Sequence, residues 1–422
     1  MTGRRCLTSP RPYELLTSVV AGALLISGCG VLPGLSEGSR EPVTVMTWAP
    51  DTTAADSVNM AGMPAMARTY ARWINERGGI DGHELRVLTC NEQDTATGAS
   101  TCARRAADED VAAVVGSYSR YGRAFLAPLE AAGIPYIGGY GASADEFTSY
   151  LSYPVNGGQP ALVAGNGEQL AAGCERVSLV RPDTLVGDSM PGLLDTSLAR
   201  RDRPASYDIS TAEEATSYDP EAAKALLHAD GGCVTAVLGK GTETFFDSFR
   251  RLKPEGSEVR ISSVLGSVGQ GLIDRTGGAD SPFEGALVTG WYPESGDARW
   301  NEMREVIRKY AFGDNRIDPA DTGVQTTWIA YTALKAVIEA LDGQEITAGG
   351  ISVSLNRGTE VNTGGLTPVL RWRFQDTVGT AAYGRIVNGQ VTFQVVRDGR
   401  LTAEKEGFVD VTETLVNVRA RN

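Results

Sequence analysis

The chain has 422 residues, with 39 Lys and Arg against 52 Asp and Glu, for a net charge of −13. That balance argues against nucleic acid or an anionic lipid surface as a partner, since both are held by basic patches. The length, with 42% hydrophobic residues, suffices for a large core and predicts two lobes rather than one.

The N-terminus opens with Arg4, Arg5 and Arg11, followed by a largely apolar run from Leu15 to Ile26. Those 12 residues fall short of the roughly 20 that cross a bilayer as a helix. A basic start, a short apolar run and small residues at its end read as a cleaved signal, residues 1–28. The closing run Leu24-Leu25-Ile26-Ser27-Gly28-Cys29 resembles the lipobox of bacterial lipoproteins. The resemblance implies cleavage before Cys29 and a diacylglyceryl group on its thiol, with palmitate among the acyl chains. It places the mature chain at the cell membrane, lipid-anchored on the extracytoplasmic face. Two chains suit stable attachment where one would be marginal. The Arg4-Arg5 pair leaves both general and twin-arginine export open. Residues 29–42 are rich in Gly, Ser and Pro and read as a flexible tether. Loss of residues 1–28 removes three Arg and one Glu and takes the net charge to −15.

From Val43 onward short apolar runs alternate with helical patterns. Val43–Met46 reads as a strand, and Ala61–Asn75 as a helix with Met63, Met66, Ala67, Tyr70 and Ile74 on one face, stopped by Gly78-Gly79. Strand Leu85–Leu88, helix Thr101–Asp108, strand Val111–Val115, helix Phe125–Ala132 and strand Ile134–Ile137 follow. The rhythm resumes after about 155 and continues past 290. Nearly continuous apolar strands alternating with helices predict an α/β fold with parallel sheets covered by helices. A helix over Thr326–Leu341 precedes a segment of different character. There Val369–Phe374, Arg385–Val387, Val391–Val396 and Val411–Val418 read as strands, with turn signals at Asn388-Gly389 and Asp398-Gly399.

Besides Cys6 and Cys29 the chain has Cys90, Cys102, Cys174 and Cys233. An even count in an oxidising compartment predicts two bridges. Cys90 ends a strand and Cys102 lies on the next helix, which makes them local neighbours. Cys174 and Cys233 each precede an apolar strand, and adjacent parallel strands bring their starts together. The expected pairs are Cys90–Cys102 and Cys174–Cys233. No metal site is expected, since no spacing is CxxC and His83 and His228 are the only histidines.

Asn75-Glu76-Arg77-Gly78-Gly79-Ile80-Asp81-Gly82, Cys90 to Asp94, Val111 to Gly116 and Ala132-Gly133-Ile134-Pro135-Tyr136-Ile137 occur in that order. This series resembles the receptors of branched-chain amino acid ABC transporters, the leucine/isoleucine/valine-binding family. The likeness weakens from 155 to 290 and returns in Glu284–Val288, Gly365–Pro368 and Arg385–Asn388. It implies two Rossmann-like lobes joined by a three-stranded hinge, with a ligand cleft between them. The expected division is 43–155 plus 290–350 for the first lobe and 156–289 plus 351–422 for the second. Trp291, Tyr292 and Pro293 are expected at a lobe crossing.

The resemblance also implies site positions. A ligand carboxylate is expected at Ser119 or Arg120, depending on register, with help from Ala142 and Ser143. Trp48 and Tyr140 follow first-lobe strands and are candidates for stacking on ligand. In the second lobe the usual Tyr-Gly is replaced by Leu185-Val186-Gly187. The expected aromatic position falls near Lys240, and the expected acid falls near Leu265, where Val264-Leu265-Gly266-Ser267 has none. An ammonium buried without a counter-charge is costly. With Arg120 and Lys240 available, the reading is a small polar or anionic solute rather than a free α-amino acid held in the usual manner.

Enzyme signatures are missing: there is no GxSxG and no HExxH. Gly239-Lys240-Gly241-Thr242 lacks the first Gly and the Ser/Thr of a phosphate loop, and Gly165-Asn166-Gly167 lacks the third Gly of a dinucleotide fingerprint. No cofactor is expected. The expected partners are a small solute, an ABC permease with its ATPase subunits, and the membrane through lipid. The alternative is a receptor lipoprotein that signals through a membrane partner.

Overall fold

The computed structural model describes residues 40–52, 58–378 and 382–418. The signal, Cys29 and the tether up to Ser39 lie outside the described residues. The last three tether residues do not: β1 spans Arg40–Ala49, because Arg40 already pairs with His83. Among the described residues no helix is long and apolar enough to cross a membrane.

The first sheet is built from β1, β2 (His83–Asn91), β3 (Ala113–Val115), β4 (Tyr136–Ile137) and β5 (Ser152–Tyr153), in the order β2-β1-β3-β4-β5, all parallel. Helices α1 (Gly62–Glu76), α2 (Ala96–Asp108) and α3 (Gly122–Ala132) are the crossovers. Val43, Val45, Met46, Trp48 and Ala49 are all buried, as a strand covered on both faces requires.

The second lobe begins with α4 (Gly158–Ala171), β6 (Val177–Pro182), α5 (Leu185–Ala199) and β7 (Tyr207–Thr211). It continues through α6 (Asp219–Ala229), β8 (Cys233–Ala236), α7 (Gly241–Leu252), β9 (Arg260–Val264), α8 (Gln270–Arg275) and β10 (Leu287–Gly290). The chain then returns to the first lobe through α9 (Asn301–Tyr310), α10 (Thr322–Glu339) and α11 (Ala348–Arg357). It ends in the second lobe with β11 (Gln390–Arg397), β12 (Arg400–Ala403), β13 (Val409–Asp410) and α12 (Thr412–Val416). The second sheet runs β12-β11-β10-β9-β8-β6-β7, with β13 on β11; β11 and β12 are antiparallel additions to a parallel core.

α10 anchors the first lobe. It is buried on nearly all sides, and Trp328 and Tyr331 meet Tyr70 of α1 at ring distances of 5.2 and 5.3 Å. Thr47 of β1 bonds the Tyr331 hydroxyl at 2.8 Å, and Thr327 donates to the Gly116 carbonyl at 3.1 Å. The helix is thereby fixed to the sheet's C-terminal edge.

The crossings run through residues 154–157, 291–300 and 386–389, and they are tied together. Asn156 Nδ2 donates to the Tyr292 hydroxyl (3.0 Å), Trp291 Nε1 to the Gly158 carbonyl (2.9 Å) and Asn388 Nδ2 to the Val155 carbonyl (3.2 Å).

Several sequence expectations change. Residues 351–385 pack on the first lobe, not the second. Tyr153 donates to the Ser352 carbonyl (3.5 Å), Trp372 Nε1 to the Pro154 carbonyl (2.9 Å) and Arg385 Nε to the Ser152 carbonyl (2.9 Å). The return to the second lobe therefore falls at 386–389. Val369–Phe374 forms a single bridge, Leu370 to Val361, before a 3-10 turn at Phe374–Asp376. Arg385–Val387 is irregular. Val411–Val418 contains a short helix, because Val411 and Leu415 are both buried at helical spacing. Val391–Val396 lies within β11, and Asp398-Gly399 forms its two-residue turn, with φ of 50° and 71°.

Cys90 is bonded to Cys102 and Cys174 to Cys233, each with Cα atoms 5.7 Å apart. The second bridge joins the starts of β6 and β8, where Val177 pairs with Cys233. It closes a loop of 59 residues, and restricting the unfolded chain to that extent contributes on the order of 4 kcal/mol. Urea unfolding of C174S/C233S should show a loss approaching that size; an unchanged midpoint and slope would remove the bridge from the stability account.

Candidate functional site

Strands of both sheets end at the space between the lobes, where open parallel sheets present their loops. A cavity of about 250 Å³ lies there. Its walls are the loop after β8 (Gly239, Lys240), the loop after β9 (Leu265, Gly266, Ser267) and, from the other lobe, Asp318, Ala320, Asp321 and Thr322. That volume sits just below the ~300–1,000 Å³ typical of small-molecule clefts.

The lobes approach closely beside this cavity. The Tyr140 hydroxyl shares a hydrogen bond with Thr322 Oγ1 (3.1 Å) and lies 3.3 Å from where a side chain on Gly266 would begin. Gly266 also has φ of +93°, so a larger residue there would be strained and its Cβ would sit tight against the Tyr140 hydroxyl. Tyr140 packs edge-on against Trp291 of a crossing at 5.2 Å and against Tyr118 at 5.2 Å. Tyr118, Met63 and Ala49 form a small apolar cluster with Val58, Met60, Tyr140 and Ala142 at the sheet's C-terminal edge.

The polar groups expected to hold a carboxylate on the first lobe are engaged by the protein's own acids. Ser119 Oγ is buried and donates to Glu92 Oε2 at 3.1 Å. Arg120 makes a two-point contact with Asp94, at 2.8 and 2.5 Å, and Tyr121 donates to the Asp94 carbonyl at 2.8 Å. Ser143 caps the 3-10 turn Ala144–Phe147, and Glu146 accepts from the backbone N–H of Ser143 (3.1 Å) and Gly141 (3.2 Å). Gly139 is pressed onto the same carboxylate: a Cβ there would fall 2.1 Å from Glu146 Oε2. The loop after β4 thus wraps around one buried carboxyl group.

Other predicted residues divide clearly. Trp48 does not face the cleft. It lies within β1, paired with Cys90, and strand alternation turns it into the core beneath α2 and α3, where it packs on Phe125 (5.5 Å) and Tyr136 (6.0 Å). Tyr140 and Ala142 are at the cleft edge of the first lobe; Lys240 and Leu265 line the cavity from the second. Lys240 is exposed and Leu265 is nearly buried. Leu185 is 91% exposed and does not line the cavity. Sequence reasoning missed Tyr118 and the stretch Asp318–Thr322. The Asp321-Thr322 helix start was visible as a capping signal, with Asp321 accepting from Val324 N–H at 3.0 Å. Its position opposite Lys240 was not. Acids therefore do reach the cavity: Asp318 and Asp321 from the first lobe, and Glu243, which pairs with Arg275 at 2.8 Å. Among the described residues no cluster of His, Cys, Asp and Glu is arranged to hold a metal.

Two lobes of parallel α/β structure, closing on a cavity at their strand ends, define a cleft-type binding protein. The chain belongs to the periplasmic binding protein family, whose model matches residues 42–390. No curated protein matches it. Solved structures share the fold at low identity. A substrate-binding periplasmic protein from Ralstonia solanacearum aligns with a TM-score of 0.68 at 18% identity, over 86% of this chain and all (100%) of its own. A branched-chain amino acid ABC transporter protein from Thermus thermophilus, with bound valine, gives 0.68 at 16% over 90% of this chain and 99% of its own. A solute-binding protein from R. palustris in complex with benzoate gives 0.65 at 14%, over 87% and 98%.

The buried acids make stability depend on pH. Burial pushes the Glu92 carboxyl up to about 7 despite its bond from Ser119. Burial pushes Glu146 up to about 8, outweighing the backbone N–H groups of Ser143, Gly141 and Ala142. Both folded values exceed the unfolded value of about 4.3. Their contribution is full below that value and is lost as pH rises, toward 7 for Glu92 and 8 for Glu146. The unfolding free energy should therefore fall between pH about 5 and 8, with a shallower slope in E92Q and in E146Q. Urea titrations across that range check this; parallel slopes in all three proteins would contradict it.

Proposed function

We propose that this chain is a lipid-anchored, extracytoplasmic solute-binding protein of an ABC importer. It captures a small polar or anionic solute by closure of its lobes and passes it to the permease and its ATPase subunits. The observation that carries the reading is the cavity at the strand ends, with one wall from each lobe and hydrogen-bonded crossings behind it. Such a site gains contacts on closing that no single lobe offers, which is how binding energy can drive closure. Family membership supports the transport role. The lipobox-like run ending at Cys29 supports the anchor.

The solute's charge is set by the cavity wall. Lys240 lines the cavity from the second lobe and Asp318 and Asp321 line it from the first, so both signs of charge meet the solute. A solute with a polar head and little net charge suits this mixed wall.

A thermal-shift screen of small amino acids, organic acids and polyols should give a saturable rise in Tm. A solute at 100 times its Kd contributes about 2.7 kcal/mol. A gene deletion should abolish uptake of the compound found. Uptake that persists while a cellular response to the compound is lost would favour the sensing role. C29S should shift the protein from the membrane fraction to the soluble fraction; retention at the membrane would refute the lipid anchor.

A further inference from the structure

We infer that the solute carries a protonated amine, held by Asp318 and Asp321 on the first-lobe wall of the cavity. The inference rests on the solute-binding reading above and narrows its solute to an amine or a zwitterion, in place of a simple organic anion. The cavity between the lobes is the site, and these two acids set the charge of what occupies it. Both lie in the segment that leads into α10. Among the described residues neither is in an ion pair. The cation closest in sequence, Arg316, is taken by other acids: it holds Asp314 at 2.6 Å and lies 3.7 Å from Asp51. Local backbone supplies the donors instead. Asp318 Oδ1 accepts from Ala320 N–H at 2.8 Å, and Asp321 Oδ1 from Val324 N–H at 3.0 Å. Asp318 Oδ2 reaches across the cleft, 4.0 Å from where a side chain on Gly271 of the facing lobe would begin. Burial pushes the Asp321 carboxyl up and Asp318 adds to the push; backbone N–H groups of Val324 and Gly323 oppose it, and no cation does.

The second-lobe wall is arranged differently. Its acid, Glu243, is already paired with Arg275 at 2.8 Å. Gln270 donates to Asp274 (2.7 Å) and to the Gly399 carbonyl (2.9 Å), and Ser267 Oγ accepts from Gly239 N–H (3.2 Å). Lys240 stands on that wall as well, so a cation has its place on the first-lobe side. There is room for it: at Gly239 and Gly269 nothing lies within 4 Å of where a side chain would begin. An ammonium placed on a carboxylate forms charge-assisted hydrogen bonds, roughly twice as strong as neutral ones. The attraction grows as closure removes water from between them, whereas an anion in the same place is repelled by both acids. A metal ion is a poorer fit, because among the described residues no third His, Cys, Asp or Glu is arranged with these two to hold one.

Calorimetry on the full chain with matched probes tests this. L-leucine, 4-aminobutyrate and isoamylamine are compared with isocaproate, butyrate and isoamyl alcohol, which lack the amine, and the tightest ligand of the wider screen is added. An amine-bearing probe should bind about tenfold or more tighter than its counterpart, or the screen's ligand should itself carry an amine. D318N and D321N should each weaken binding of that compound by about tenfold. Asn keeps the oxygen that accepts the local N–H and caps a helix as well as Asp does, so these variants remove charge and spare the fold. Circular dichroism checks the fold; if D321N does not fold, D318N decides. A tightest ligand without an amine, or an amine bound equally well by wild type and by both variants, would overturn the inference and leave a solute-binding protein. Absence of binding by any compound in this set or the wider screen would defeat the solute-binding reading itself, and this inference with it.

Discussion

The cleft depends on how three chain crossings are held to one another. Tyr292 is the centre of that contact. Its hydroxyl accepts from Asn156 and bonds Thr326 of α10 at 3.0 Å, and its carbonyl accepts from Thr392 Oγ1 (2.7 Å) and Gln394 Nε2 (3.0 Å) of β11. One residue thereby joins the first crossing, the helix that anchors the first lobe and β11 of the second. Each neutral bond contributes only about 1 kcal/mol net, but a buried group left unpaired costs more, so these bonds specify geometry more than they add stability.

The two halves of the cleft are built on different principles. On the first lobe, Glu92, Asp94 and Glu146 act from within, each holding a loop by its polar groups. The loops thereby gain a defined shape. Burial raises the proton affinity of Glu92 and Glu146, so the shape of their loops and their protonation become coupled. The second lobe has no such internal acids in its cavity loops after β8 and β9. Lys240 and Ser267 stand at the cavity wall, and Arg275 and Glu243 pair beside them. The first half is shaped by its own buried acids and adds Asp318, Asp321 and Thr322 to the cavity wall; the second adds Lys240 and Ser267.

Much of this was legible in the chain. The alternation of apolar strands and helical patterns through about 290 corresponds to the crossovers observed. The disulfide partners followed from placing each cysteine at a strand end or on the next helix. The Asp398-Gly399 turn followed from the need for two residues of positive φ. Misreadings share one cause. Trp48 was a candidate for stacking because it follows the run Val43–Met46, but β1 continues to Ala49, so Trp48 lies within the strand and strand alternation turns it into the core. Val411–Val418 was read from its β-branched residues, whereas Val411 and Leu415 bury one side of a helix. Ser119 and Arg120 were read as carboxylate-holding candidates because the acids that engage them follow the preceding strand and carry no local sign of their aim.

The sequence by itself determined the class of fold, the cysteine pairs and the Asp398-Gly399 turn, because each follows from local periodicity, backbone preference or covalent chemistry within a few residues. Only the tertiary structure decided the site. Lys240 and Asp321 face one cavity across more than eighty residues of chain. Glu92 meets Ser119, and Asp94 meets Arg120, only when β1, β2 and β3 lie side by side. Charge pairing of that kind is a property of distances between elements, and those distances are set by how the sheets and α10 pack.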